Sequence, residues 1–186
     1  MPLPESSTRK HLHTRQITCH GYQRDDGLWE VDAQLTDIKT YHVDNTYRHG
    51  IEAGEPIHDM KIRLTIDEQF IVRDCISVTD KSPFACCPDI NPIFRKLIGQ
   101  KIAAGWTMRV KKLVGGLQGC THLTDLLGPA TTTLFQTMSS MGKKRQLDVQ
   151  PRPFFLNGCH AWDTNGEQVQ QLYPAFYTGD DKKNKD

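Results

Sequence analysis

A thiol and an imidazole stand two residues apart in Gly119-Cys120-Thr121-His122-Leu123. They come just before the apolar-periodic Leu123, Leu126, Leu127, Leu134, Phe135 and Met138, a pattern that predicts the opening turn of a helix with Thr121 as its N-cap. Free N–H groups and the helix dipole stabilise negative charge at such a place. A cysteine there tends toward the thiolate, the form that ligates metal or attacks as a nucleophile. Two upstream pairs could join it, His58-Asp59 and Cys86-Cys87, each on its own segment. The candidate ligands are thus His58, Asp59, Cys86, Cys87, Cys120 and His122, with one of Cys86 and Cys87 facing the site because adjacent side chains diverge.

Each pair also has a plain structural reading. Cys120 and His122 could pack and cap, since free cysteine is often buried. Asp59 could simply orient His58 where a strand begins, an arrangement that also serves as a metal's outer shell. Either thiol of Cys86-Cys87 could fill core space, with Pro88 as loop punctuation. Cys159 and His160 would point to opposite faces of an expected strand, so at most one could contribute, and Cys19 and Cys75 fall in strand patterns that suit packing. There is no C-x-x-C pair, and Gly115 to Gly119 lacks the Lys-Ser/Thr of a phosphate-binding loop.

The elements that would position these groups follow from hydrophobic period. Asp25-Asp26-Gly27 signals a hairpin turn, and Trp29, Val31, Ala33 and Leu35 then alternate with polar neighbours. Met60, Ile62, Leu64 and Ile66 alternate again, with His58 on the same parity. Phe70, Val72, Ile76 and Val78 are expected to form the inward face of a partner strand, interrupted by Asp74. After Asp80 the period turns helical. Asn91-Pro92 opens one helix that Gly99 ends, Trp106 to Val114 forms a second closed by Gly115-Gly116, and the third starts near Thr121 and is expected to bend or break at Gly128-Pro129. Thr164-Asn165-Gly166 predicts a C-terminal hairpin between 152–162 and 168–177.

The expected architecture is α+β, an antiparallel sheet of three or four strands followed by helices packed on one face. A polar arm over 1–16, one domain over 17–178 and a disordered charged tail over 179–186 complete it. The 186 residues carry 23 basic and 22 acidic side chains, a formal charge of +1. No basic excess or long basic run points to nucleic acid or a membrane surface, and no stretch approaches the roughly 18 apolar residues of a spanning helix. Six irregularly spaced cysteines suit a reducing, cytoplasmic setting and thiol or metal chemistry better than a disulfide framework.

Residues 54 to 105, GEPIHDMKIRLTIDEQFIVRDCISVTDKSPFACCPDINPIFRKLIGQKIAAG, and GCTHLTDLL at 119 to 127 resemble the bacterial domain-of-unknown-function 2889 family. The resemblance extends from about Tyr22 to Tyr177 and brings no activity with it. A more remote similarity, in the order of elements, is to the NifU/IscU-type iron-sulfur scaffolds. It matches Asp59 to their aspartate, Cys120 to their last cysteine and Leu97-Ile98-Gly99-Gln100-Lys101 to a helix ending. His58 stands roughly where their first cysteine would be, Cys86 and Cys87 come late, and His122 follows its cysteine at a distance of two. Fewer thiolates and more imidazole shift what this likeness implies from an iron-sulfur cluster toward mononuclear zinc or iron.

Three functions are compatible with this reading. One is a metal-binding or iron-sulfur carrier that hands its cargo to a protein acceptor. Another is a thiol enzyme with Cys120 as nucleophile, a nearby histidine as base and Asp59 as its orienter. The last is a non-catalytic module that docks through the arm, the Trp29 face or Phe154-Phe155.

Overall fold

The computed structural model of the protein describes residues 2–141, 152–153 and 155–179. By its contacts the chain divides into two compact units, 1–141 and 142–186.

The first unit is built on four strands, β1 (His13–Gln23), β2 (Trp29–Lys39), β3 (Pro56–Ile66) and β4 (Val72–Lys81). They form one antiparallel meander in the order β1-β2-β3-β4. β1 starts at His13, inside the stretch expected to be an arm, because its pairing with β2 continues from Gln23 opposite Trp29 back to His13 opposite Lys39. Alternation sorts the sheet into two faces. On β2, Trp29, Val31, Ala33 and Leu35 are buried on the inner face, and Asp37 falls on the same parity. On β3, Met60, Ile62 and Leu64 are buried opposite them.

β4 departs from the expected alternation. A register shift opposite Thr65 and Ile66 pairs Val72 with Ile66 and Cys75 with Leu64. Val72 and Cys75 therefore face the core, and Ile76 and Val78 are exposed on the outer face instead of forming an inner row. A bulge of this kind reverses the parity of everything beyond it.

Helices cover the inner face. A 3-10 segment, Cys87–Leu97, lies against β4 and buries Phe94 and Leu97, and Gly99 follows it with φ +82° as the stop. Helix α1 (Trp106–Val114) buries Trp106, Val110 and Val114. Helix α2 (Thr121–Met141) crosses β1, β2 and β3 and buries Leu123, Leu126, Leu127, Ala130 and Leu134. It runs unbroken through Pro129, where a bend or break was expected. Proline removes one N–H from the ladder, but burial of Leu126, Leu127, Ala130 and Leu134 on both sides of it keeps the segment helical. The approach is tight at Gly21, where an added Cβ would meet Thr137 Oγ1 at 1.9 Å.

The outer face carries the polar partners of these strands. Arg63 grips Asp32 at 2.7 Å through two nitrogens, and Lys61 reaches Asp80. Among the described residues no helix is long and apolar enough to cross a membrane.

The second unit is described over 152–153 and 155–179. Its expected hairpin is replaced by short helical turns, His160–Trp162, α3 (Glu167–Leu172) and Pro174–Phe176. The Asn-Gly signal does mark a turn, in which Asp163 Oδ1 accepts from the Asn165 N–H and Gly166 leads into α3. Gln168 to Tyr177 lacks a period of two and contains Pro174, so it has no strand to offer. Phe155, Trp162 and Tyr173 pack on one another in tilted and edge-to-face contacts, with centroids 4.8 to 5.8 Å apart. Phe154 and residues 180–186 of the predicted tail lie outside the described residues.

Candidate functional site

The sheet register lines up three polar side chains on the inner face. Arg15 on β1 is opposite Asp37 on β2, and Asp37 is opposite His58 on β3. The neighbouring row, Ile17, Leu35 and Met60, is apolar, so the polar row lies at one margin of the core. The start of α2 brings Cys120 and His122 to this margin. Cys120 holds the N-cap position, one residue before that expected for Thr121, and its carbonyl accepts from the Thr124 N–H at 2.9 Å.

Asp37 is the hub, with its side chain only 3% exposed. Oδ1 accepts from Arg15 Nε at 2.8 Å and lies 3.0 Å from His13 Nε2. Oδ2 accepts from Arg15 Nη2 at 2.9 Å and lies 3.0 Å from His58 Nδ1. His122 Nε2 is also directed at Oδ2, at 3.7 Å. The His58 and His122 rings stack with centroids 3.7 Å apart and planes tilted by 30°. Cys120 Sγ then lies 3.9 Å from His122 Nδ1 and 3.8 Å from Met60 Sδ.

This network assigns tautomers. His58 places the proton on Nδ1 for Asp37 and leaves Nε2 with a lone pair, and His122 turns Nε2 toward Asp37, beyond hydrogen-bond distance, and Nδ1 toward the thiol. Charge follows the same logic. Burial works to raise the Asp37 pKa, but the Arg15 hydrogen bonds and charge, with His58, hold the carboxyl below its ordinary range. The Arg15 value is raised, chiefly by its hydrogen bonds to Asp37. Burial lowers the pKa of His58, helped by His122, and outweighs the pull of Asp37. Burial likewise lowers that of His122, helped by Arg15. The Arg15 guanidinium is thus shared between Asp37 and, at 3.3 Å, Asp125, beside two imidazoles that burial biases toward the neutral form.

Of the residues singled out in the sequence, His58, His122 and Cys120 come together here. Asp59 does not join them. It faces the other side of the sheet, where Gln34 Nε2 donates to its Oδ1 at 2.7 Å, because its neighbour His58 takes the inner face. Cys86 and Cys87 begin the 3-10 segment packed on β4, the former exposed and the latter half-buried. Cys159 is exposed at the start of the turn that His160 opens, in the second unit. Among the described residues, the group whose ligand atoms could hold a metal is Asp37, His58 and His122, all within 4.8 Å of one another.

Asp37, Arg15, His13 and Met60 went unremarked as site residues in the sequence. The parity of Trp29, Val31, Ala33 and Leu35 reaches Asp37 two residues on, a carboxylate on a core face, and that signal was available.

The protein is thus an α+β protein with a polar cluster under the start of its longest helix. The family described as Protein of unknown function (DUF2889) matches residues 13–136, from the first residue of β1 to near the end of α2, and the chain belongs to that family. No curated protein and no solved structure matches the chain, so the likeness to NifU/IscU-type scaffolds gains no support.

Proposed function

We propose that the protein binds a single metal ion at the margin of its core, with His58, His122 and Cys120 as ligands and Asp37 as the carboxylate that orients both imidazoles. The observation that carries this reading is the meeting of the three at one place: the His58 and His122 rings stack with centroids 3.7 Å apart and Cys120 Sγ lies 3.9 Å from His122 Nδ1, with Asp37 behind the rings. Asp37 itself is a poor ligand, because two donors already occupy each of its oxygens. Its place is that of the acceptor behind a metal-bound histidine, which fixes the ring and raises its basicity. Zinc or iron suits imidazole and thiolate together, and a role as carrier would require a protein acceptor.

The test is elemental analysis of anaerobically purified and metal-reconstituted protein. About one metal ion per chain is expected in the wild type, absent from His122→Ala and Cys120→Ala, with affinity reduced about 10- to 100-fold in Asp37→Asn. A folded wild-type chain that takes up no zinc, iron or copper after reconstitution would refute the proposal.

One observation favours a second reading. Cys120 Sγ, His122 and Asp37 Oδ2 lie in line, at 3.9 and 3.7 Å, in the order nucleophile, base and orienter. Asp37 here takes the part first expected of Asp59. This alternative predicts metal-independent, pH-dependent alkylation of Cys120 that His122→Ala slows.

A further inference from the structure

We infer that the ion this site selects is monovalent copper, held by His58, His122, Cys120 and the thioether of Met60. The inference rests on the metal-binding reading above and concerns which ion is bound. The donor set of the cluster supports it.

Met60 is 1% exposed on β3, two residues from His58 on the same face, and its Sδ lies 3.8 Å from Cys120 Sγ. A thioether is a soft, uncharged donor that suits copper(I) and adds little for zinc or for the hard ions that prefer carboxylate and water. Two imidazoles, one thiolate and one thioether form a set that favours copper(I) on softness.

Binding balances simply: Cys120 releases its thiol proton to solvent, copper(I) takes the place of that proton, and no electron moves. His58 Nε2 and His122 Nδ1 would supply the imidazole lone pairs.

Anaerobic competition tests this on the full chain, with copper(I) against bicinchoninate and zinc against a chromogenic zinc chelator. Wild type, Met60→Leu and Cys120→Ser would be compared, after circular dichroism establishes that each is folded. One copper(I) per chain is expected. Met60→Leu should weaken copper(I) by at least about tenfold, the lower end of what even orienting partners cost a metal site. Zinc affinity should stay within about twofold, the leucine being close to methionine in volume. X-ray absorption of copper-loaded wild type reads the same point without a substitution, and two sulfur neighbours are expected. Zinc uptake without copper(I) uptake, equal losses of both metals in Met60→Leu, or a copper shell with one sulfur overturns the copper assignment and leaves the metal site standing. Failure of both metals to leave their chelators overturns the metal-binding reading itself.

Discussion

Acidification should destabilise this protein through the stacked pair His58 and His122. Both imidazoles have folded-state pKa values below the ordinary 6.5, burial being the largest cause in each. Above 6.5 the pair is neutral whether the chain is folded or not, and costs nothing. As pH falls below 6.5 the unfolded chain binds protons that the folded chain refuses, so stability drops until the depressed folded-state values are reached. Each proton refused tilts the balance by about 1.4 kcal/mol per pH unit, so the pair can contribute a slope of up to about 2.7 kcal/mol per pH unit. For a chain of this length that corresponds to roughly 5–10 °C in Tm per pH unit. The side chains are only 14% and 24% exposed, so solvent screening removes little of this. Asp37, also depressed, adds its own loss in the same direction only below the ordinary carboxyl value of 3.8. The assay is urea unfolding in chelator at steps from pH 7.5 to 5, comparing wild type with His58→Asn/His122→Gln, whose amide nitrogens stand in for the ring nitrogens facing Asp37. The difference in slope isolates the pair from the other histidines. Equal slopes, or a wild type that gains stability on acidification relative to the variant, would mean that attraction to Asp37 outweighs burial, and the charge assignment of the cluster would fall.

Other expectations concern the frame. Gly21→Ala places a Cβ 1.9 Å from Thr137 Oγ1 and should cost about 1–3 kcal/mol, with part of the loss recovered in Gly21→Ala/Thr137→Ala, as read by thermal melts. Full single-variant stability would mean that α2 does not rest on β1 at this point. Phe94→Ala empties a fully buried position under the 3-10 segment and should cost about 3–5 kcal/mol in denaturant unfolding. Cys75 is 1% exposed and burial pushes its thiol up to about 12, so native alkylation followed by mass spectrometry should modify the exposed Cys86 and Cys159 first and Cys75 only on unfolding.

The sheet was legible wherever one face meets the core and the other meets water. β2 and most of β3 are of that kind, and their alternation reads directly as strand and face. β1 is not, because only Thr18, Cys19 and Gly21 on it are half-buried and the rest, Ile17 included, is exposed, so its start at His13 and the roles of His13 and Arg15 leave little trace in the pattern. On β4 the register shift reversed the parity, which no count of apolar residues reveals. At the site, the helix start named Cys120 and His122, and strand parity named His58. Asp59 drew notice by adjacency, yet adjacency in a strand separates two side chains to opposite faces. Asp37 needed register: only the pairing of β2 with β3 shows that this carboxylate, 21 residues before His58, is its neighbour. The Asn-Gly turn at 165–166 was read with the wrong flanks, since a turn signal fixes the reversal and not what enters it.

The cluster is also not what this layer of the fold needs for stability. One row along, the same three strands fill the layer with Ile17, Leu35 and Met60, all apolar. A half-buried Arg–Asp pair beside two stacked imidazoles adds little over such a row, since apolar replacements of ion pairs taken out of water are commonly neutral or stabilising. In this layer the departure from the apolar pattern lies where the start of α2 brings Cys120 and His122 to the sheet. Sequences that specify a fold consistently and break the rule in one place tend to break it at a site of function. The same lone pairs then answer to two competitors, because a proton on His58 Nε2 or His122 Nδ1 takes the position a metal would use. If the cluster holds an ion, stability and occupancy should therefore decline over one pH range, and loading should shift the acid-induced loss of stability to lower pH.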